Sequence, residues 1–112
     1  MDNQENTPKI NSLIKQLPEV VKCFDQLHDA IITDGALPVK TKELIAVGIA
    51  VAVRCSPCIH RHVAFALKAG NTPAEISEAI SVGILLGGGP AFIYAQEAAQ
   101  VLDSLIKDKK EQ

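Results

Sequence analysis

ELIAVGIAVAVRCSPCIHRH, residues 43–62, decides how the rest of the chain is read. It opens on one carboxylate, Glu43, and runs through the apolar segment Leu44 to Val53. It then reaches a Cys-x-x-Cys pair, Cys55 and Cys58, with His62 four positions after the second thiol. Two thiols at that spacing can close a disulfide within a single turn of chain. A histidine at i+4 lies over the same helix face. Helical side chains lean toward the N-terminus, so its ring is carried back over Cys58, where it can take the thiol proton directly or through one water.

Pro57 suits the first turn of a helix, where its fixed φ is helical and its missing N–H would have had no partner. At such a start the unpaired N–H groups and the positive end of the helix dipole favour thiolate over thiol. Redox chemistry, a metal site and an inert pair are the three readings this spacing allows. For zinc, Cys55, Cys58 and His62 supply three ligands, whereas a structural site wants four, commonly as two separated pairs. Cys23, His28 and His60 are the candidates for a fourth, and none belongs to a second ligand pair. His60 projects about 200° around the helix from His62, so the two cannot easily share one ion.

Glu43 is the only acid between Asp34 and Glu75. It reads either as a first-turn residue that satisfies the helix dipole or as a partner for His62. Along straight helices Glu43 lies about 18 Å before Cys55 and His62 about 10 Å into the next helix, so a simple hairpin leaves them offset. A direct hydrogen bond then needs a favourable crossing angle, a turn that consumes length, or a bridging water. Arg54 and Arg61 flank the thiols and read as exposed.

Outward from this stretch the chain is helical throughout. Residues 1–8 are a loose polar tail. A short amphipathic piece is predicted over Lys9–Leu17, and a helix over Glu19–Thr33 with Val20, Phe24, Leu27 and Ile31 as its apolar stripe. Cys23 beside that stripe is expected to be a buried, inert thiol, and His28 a surface or boundary residue. The helix Val39–Arg54 is apolar on every side, which belongs in the middle of a bundle or at a subunit interface. A chain of 112 residues has little material to surround it, so an oligomer is expected.

A helix from Pro57 to Ala69 is closed by Gly70, and Thr72-Pro73-Ala74-Glu75 is a capping box that opens the next. Gly87-Gly88-Gly89-Pro90 has no strand before it and no Gly-Lys-Ser/Thr after it. It reads as a helix–helix joint rather than a phosphate loop. A last helix carries Phe92, Ile93, Ala95, Ala99, Leu102 and Ile106, with 107–112 as a solvated tail. The expectation is a single domain over 1–112, an all-α bundle of about five to six helices with short connections.

Composition agrees. Hydrophobic residues make up 47% and aromatics 4%, a small aliphatic mixture suited to closely packed helices. The formal charge of −2 comes without any basic stripe, which argues against nucleic acid. No secretory signal is legible, and the longest apolar run is half of the ~20 residues a membrane span needs. A cytoplasmic protein that neither crosses nor binds a membrane is expected. In that reducing setting a Cys-x-x-Cys is more often catalytic or metal-binding than structural.

Glu43, eleven residues, Cys55-Ser-Pro-Cys58, three residues and His62 together resemble the AhpD-like branch of the carboxymuconolactone decarboxylase superfamily. The likeness continues through HVAFALKAG, TPAE and LLGGGPAF, over roughly residues 38–100. It implies an all-helical fold assembled as a homotrimer or homohexamer, with thiol peroxidase or disulfide reductase activity; no cofactor or metal is expected. By the resemblance Cys58 is the attacking thiol, Cys55 the resolving one, and His62 and Glu43 a proton relay. A peroxide or disulfide would be the substrate, and an external dithiol or redox protein the electron donor. Pro57 stands where the closest relatives of the alkylhydroperoxide reductase partner carry a further histidine, which points toward general disulfide exchange. A zinc-stabilised helical scaffold and a carboxymuconolactone decarboxylase-like enzyme working through His62 and Glu43 are the alternatives.

Overall fold

The computed structural model describes residues 10–111, with side chains described from 12 to 109. The described residues form six α-helices: α1 (Ile10–Gln16), α2 (Pro18–Ile31), α3 (Val39–Ala52), α4 (Ser56–Lys68), α5 (Pro73–Gly87) and α6 (Gly89–Glu111). They fall into two compact units, Met1–Thr33 and Asp34–Gln112. The N-terminal tail 1–8 lies outside the described residues. No helix among them is long and apolar enough to cross a membrane.

In the first unit Pro18 opens α2 at its first turn, as its fixed φ favours. The expected stripe is present, but Val20, Phe24, Leu27 and Ile31 are each more than half exposed. Cys23 corrects the expectation made for it: it is a free and exposed thiol. Periodicity identifies the apolar face of a helix, but it does not supply the partner that would bury it.

The second unit holds the core. Glu43, Val47, Ala50 and Val51 of α3 recur at helical spacing and are buried. They meet Ile59, Val63 and Ala66 of α4, Ile76 and Ile80 of α5, and the small residues Ala91, Ala95 and Ala98 of α6. Helix α3 packs against both α4 and α5. At the α3–α5 crossing the backbones come close: a Cβ added to Gly83 would sit 2.5 Å from the Gly48 carbonyl oxygen and 2.8 Å from Val51 Cβ.

Helix boundaries follow local chemistry. Asp34 Oδ1 accepts the Val39 N–H at 2.8 Å before α3. Thr72 and Glu75 make the reciprocal capping box of α5. Gly88 takes a φ of +75° between α5 and α6, the helix joint expected of the triple glycine. Helix α6 continues to Glu111, so the expected solvated tail is helical as far as that residue; its positions 107–109 are exposed.

Candidate active site

The turn from α3 into α4 sets where the thiols stand. Helix α3 ends at Ala52, with Val53 as C-cap. The Arg54 N–H then donates to Val51 O and the Cys55 N–H to Ala50 O, both at 3.1 Å. This is a Schellman arrangement in which Arg54, at φ 60°, occupies the left-handed position usually given to glycine. Without that glycine, the sequence offers only Ser56-Pro57 as a helix break, and the predicted end at Arg54 falls two residues late.

Cys55 serves both ends of the turn. It is the second residue past the C-cap of α3 and the N-cap of α4, where its Sγ accepts the Cys58 N–H at 3.3 Å. Pro57 lies in the first turn, as expected. Cys55 and Cys58 are joined by a disulfide across a Cα–Cα distance of 5.2 Å. Both residues are partly exposed.

Glu43 and His62 are brought together directly: His62 Nδ1 lies 2.7 Å from Glu43 Oε1. Glu43 is the fifth residue of α3, past the first turn, so the dipole reading does not apply to it. The early end of α3 shortens the lever that made this contact look offset. Glu43 lies about 13 Å from the end of its helix and His62 about 9 Å into the next. The two side chains span the remaining offset directly, without a bridging water. A carboxylate only accepts, so Nδ1 is the donor, and in the neutral tautomer this leaves the imidazole lone pair on Nε2. Phe65 packs edge-on against the His62 ring at 5.8 Å, and Arg61 lies over the same phenyl ring at 5.4 Å.

Asn71 supports this pair and was not singled out from sequence. Helix α4 also ends in a Schellman motif, with Gly70 at φ +104°, Gly70 N–H to Leu67 O and Asn71 N–H to Ala66 O. The buried Asn71 amide then donates to Ala66 O at 3.1 Å and to Lys40 O at 3.0 Å. It therefore ties the end of α4 to the first turn of α3, on the two helices that carry His62 and Glu43. Its Oδ1 is buried without a hydrogen-bond partner among the described residues. An asparagine directly after a helix-terminating glycine was the available signal.

Glu97 of α6 is the second residue that sequence reasoning missed. Its Oε1 accepts the Ser56 hydroxyl at 2.9 Å, and its Oε2 lies 3.0 Å from His60 Nε2. His60 thus belongs to a different carboxylate from His62, as the 200° between them requires. Among the described residues no group of three or more His, Cys, Asp or Glu side chains could hold a metal ion.

A bundle of this topology, with a Cys-x-x-Cys opening one helix and a Glu–His pair bridging it to the helix before, defines a class of helical proteins with a disulfide-forming centre. The chain belongs to the carboxymuconolactone decarboxylase family, which it matches over residues 18–101. Its Cys55–Cys58 pair places it with the AhpD-like members. It is 40% identical to a protein from the cox locus of Paracoccus denitrificans, over 73% of this chain and 74% of that one. An uncharacterised protein of Cupriavidus necator is 36% identical over 79% and 78% of the respective chains.

Among solved structures, a carboxymuconolactone decarboxylase family protein from Legionella pneumophila superposes with a TM-score of 0.80 at 37% identity, covering 90% of each chain. A family protein from Thermotoga maritima superposes with a TM-score of 0.78 at 30% identity, over 82% of this chain and 95% of that one. Membership implies catalytic activity of the decarboxylase or AhpD type.

Proposed function

We propose that the chain is a thiol-dependent oxidoreductase that reduces peroxides or disulfides through a Cys55/Cys58 dithiol–disulfide cycle. The observation that carries this reading is the disulfide at the start of α4, on the same helical hairpin as the buried Glu43–His62 pair. An antioxidative role has been suggested for the Thermotoga maritima relative, in line with this chemistry.

In the reduced enzyme His62 Nε2 takes the Cys58 proton, and Glu43 holds the ring in the tautomer able to do so. The Cys58 thiolate attacks a peroxide oxygen; the O–O bond breaks, the alcohol leaves with a proton, and Cys58 becomes a sulfenic acid. The Cys55 thiol attacks that sulfur, releasing water and closing the disulfide. With a disulfide substrate, the Cys58 thiolate attacks one sulfur, the substrate S–S bond breaks and a first thiol leaves; Cys55 then attacks the Cys58 sulfur of the mixed disulfide and displaces the second. In either case an external dithiol returns two electrons and two protons to the pair and leaves as its own disulfide. A cytoplasmic setting follows from the need for that reductant.

A homo-oligomer, trimeric or hexameric, is part of the same proposal. Ile45 and Ile49 of α3 and Val82 and Leu86 of α5 are exposed beside an apolar cleft of about 600 Å3 that none of Glu43, Cys55, Cys58 or His62 lines. Apolar surface of this kind suits burial by further copies. Light scattering of the purified protein reads the assembly, and a monomeric mass would remove it.

A second reading has an observation of its own. The Glu43–His62 pair is complete without the cysteines, so it could serve acid–base chemistry on a lactone, as the family's name describes. One assay series separates the two. Turnover of an organic hydroperoxide or a disulfide with a lipoamide-type dithiol, lost in Cys58→Ser, is expected. Lactone turnover that survives in Cys58→Ser would replace the oxidoreductase reading with the decarboxylase one.

A further inference from the structure

The cysteine turn is held from two sides. On one side is the Glu43–His62 pair; on the other, Glu97 reaches from α6 to the first turn of α4. Ser56, the residue between Cys55 and Pro57, gives its hydroxyl proton to Glu97 Oε1 at 2.9 Å. His60, one helical turn further on, sets Nε2 3.0 Å from Oε2. Both oxygens of one carboxylate are thereby committed to the segment that carries the thiols. The Glu97 side chain is 32% exposed and that of His60 60%, so this is a half-open clasp on the segment that carries the thiols.

The geometry points to Glu97 as a positioning residue that biases the Cys55–Cys58 couple toward the disulfide. Two effects have the same sign. Reduction places a thiolate at the start of α4, and the carboxylate tied to the intervening Ser56 opposes that added negative charge. The clasp also holds Ser56 in the turn that accompanies the closed disulfide, and so opposes separation of the sulfurs. Solvent screening at a half-exposed carboxylate keeps the effect moderate. The consequence is a pair that gives up electrons readily and needs a strong dithiol to be reset. The inference rests on the oxidoreductase reading for that consequence, though not for its measurement.

The test is the equilibrium between the pair and a lipoamide-type dithiol, measured by counting alkylated thiols by mass. A Cys23→Ser background removes the exposed third thiol. Glu97→Gln keeps the shape and can still accept the Ser56 hydroxyl while losing the charge. It is expected to shift the exchange constant toward the dithiol by about fivefold, roughly 20 mV for a two-electron couple. Ser56→Ala, which leaves the carboxylate and removes the tether, is expected to move it the same way by less. A Glu97→Gln constant equal to wild type, or shifted toward the disulfide, overturns the proposal whatever Ser56→Ala does. Absent turnover together with an intact Glu97 shift would instead count against the oxidoreductase reading, so the two failures are distinguishable.

Discussion

Glu43 Oε1 and His62 Nδ1 meet at 2.7 Å across the α3–α4 hairpin, with the carboxylate side chain 2% exposed and the imidazole 17%. A buried pair of this kind fixes the ring tautomer, but removing either partner leaves the other's buried polar group unsatisfied. Glu43→Ala is therefore expected to cost about 1–3 kcal/mol of stability, read from urea denaturation. Glu43→Gln should hold the fold more nearly and slow alkylation of reduced Cys58 by about tenfold at neutral pH, since an amide can either accept from or donate to Nδ1 and no longer enforces the tautomer with its lone pair on Nε2. An unchanged alkylation rate would separate Glu43 from the thiol chemistry.

Gly83 carries the α3–α5 crossing. A methyl there meets the Gly48 carbonyl at 2.5 Å and Val51 Cβ at 2.8 Å, and neither is the flexible end of a side chain. Gly83→Ala should cost about 1–3 kcal/mol, because the helices must separate to admit the methyl. The urea midpoint measures it, with unchanged helical content showing that the loss lies in packing.

Arg54 sits at φ 60° in a position that suits glycine, and the left-handed conformation costs an L-residue about 1–2 kcal/mol. Glycine removes that strain but gives the unfolded chain more freedom, so Arg54→Gly is expected to be neutral or stabilising by up to about 1 kcal/mol. Arg54→Val, branched at Cβ, should be clearly destabilising. Equal thermal midpoints for the two variants would contradict the turn geometry.

Glu75 accepts the Thr72 N–H at 2.8 Å, and this backbone hydrogen bond, with Lys40 nearby, holds its carboxyl below the ordinary 4.5. A folded-state pKa below the unfolded one contributes stability that is present above the unfolded value and lost as pH falls through the folded value. Wild type should therefore lose its advantage over Glu75→Gln as the pH drops below 4.5. Urea midpoints of both proteins at neutral and acid pH provide the comparison, and a constant difference would contradict the shift.

Much of the fold was open to reading. Apolar spacing, Pro18, Gly70, the Thr72–Glu75 box and the triple glycine mark helix limits through local rules, and the structure places helices between them. The end of α3 was misread because Arg54 fills a left-handed position for which the sequence gives no glycine. Burial of Cys23 was misjudged because a stripe on one helix does not say what lies against it.

The sequence by itself determined which side chains share a helix: Cys55, Cys58 and His62 are linked by spacing, and spacing within a helix follows from its 3.6-residue turn. Only the tertiary structure decided which residues meet between helices. The Glu43–His62 contact depended on where α3 stops and how much chain the turn consumes. Asn71 reaching Lys40 and Glu97 grasping Ser56 and His60 depend on how helices far apart in sequence pack. Side-chain volumes across the whole core fix those distances, and no local pattern records them.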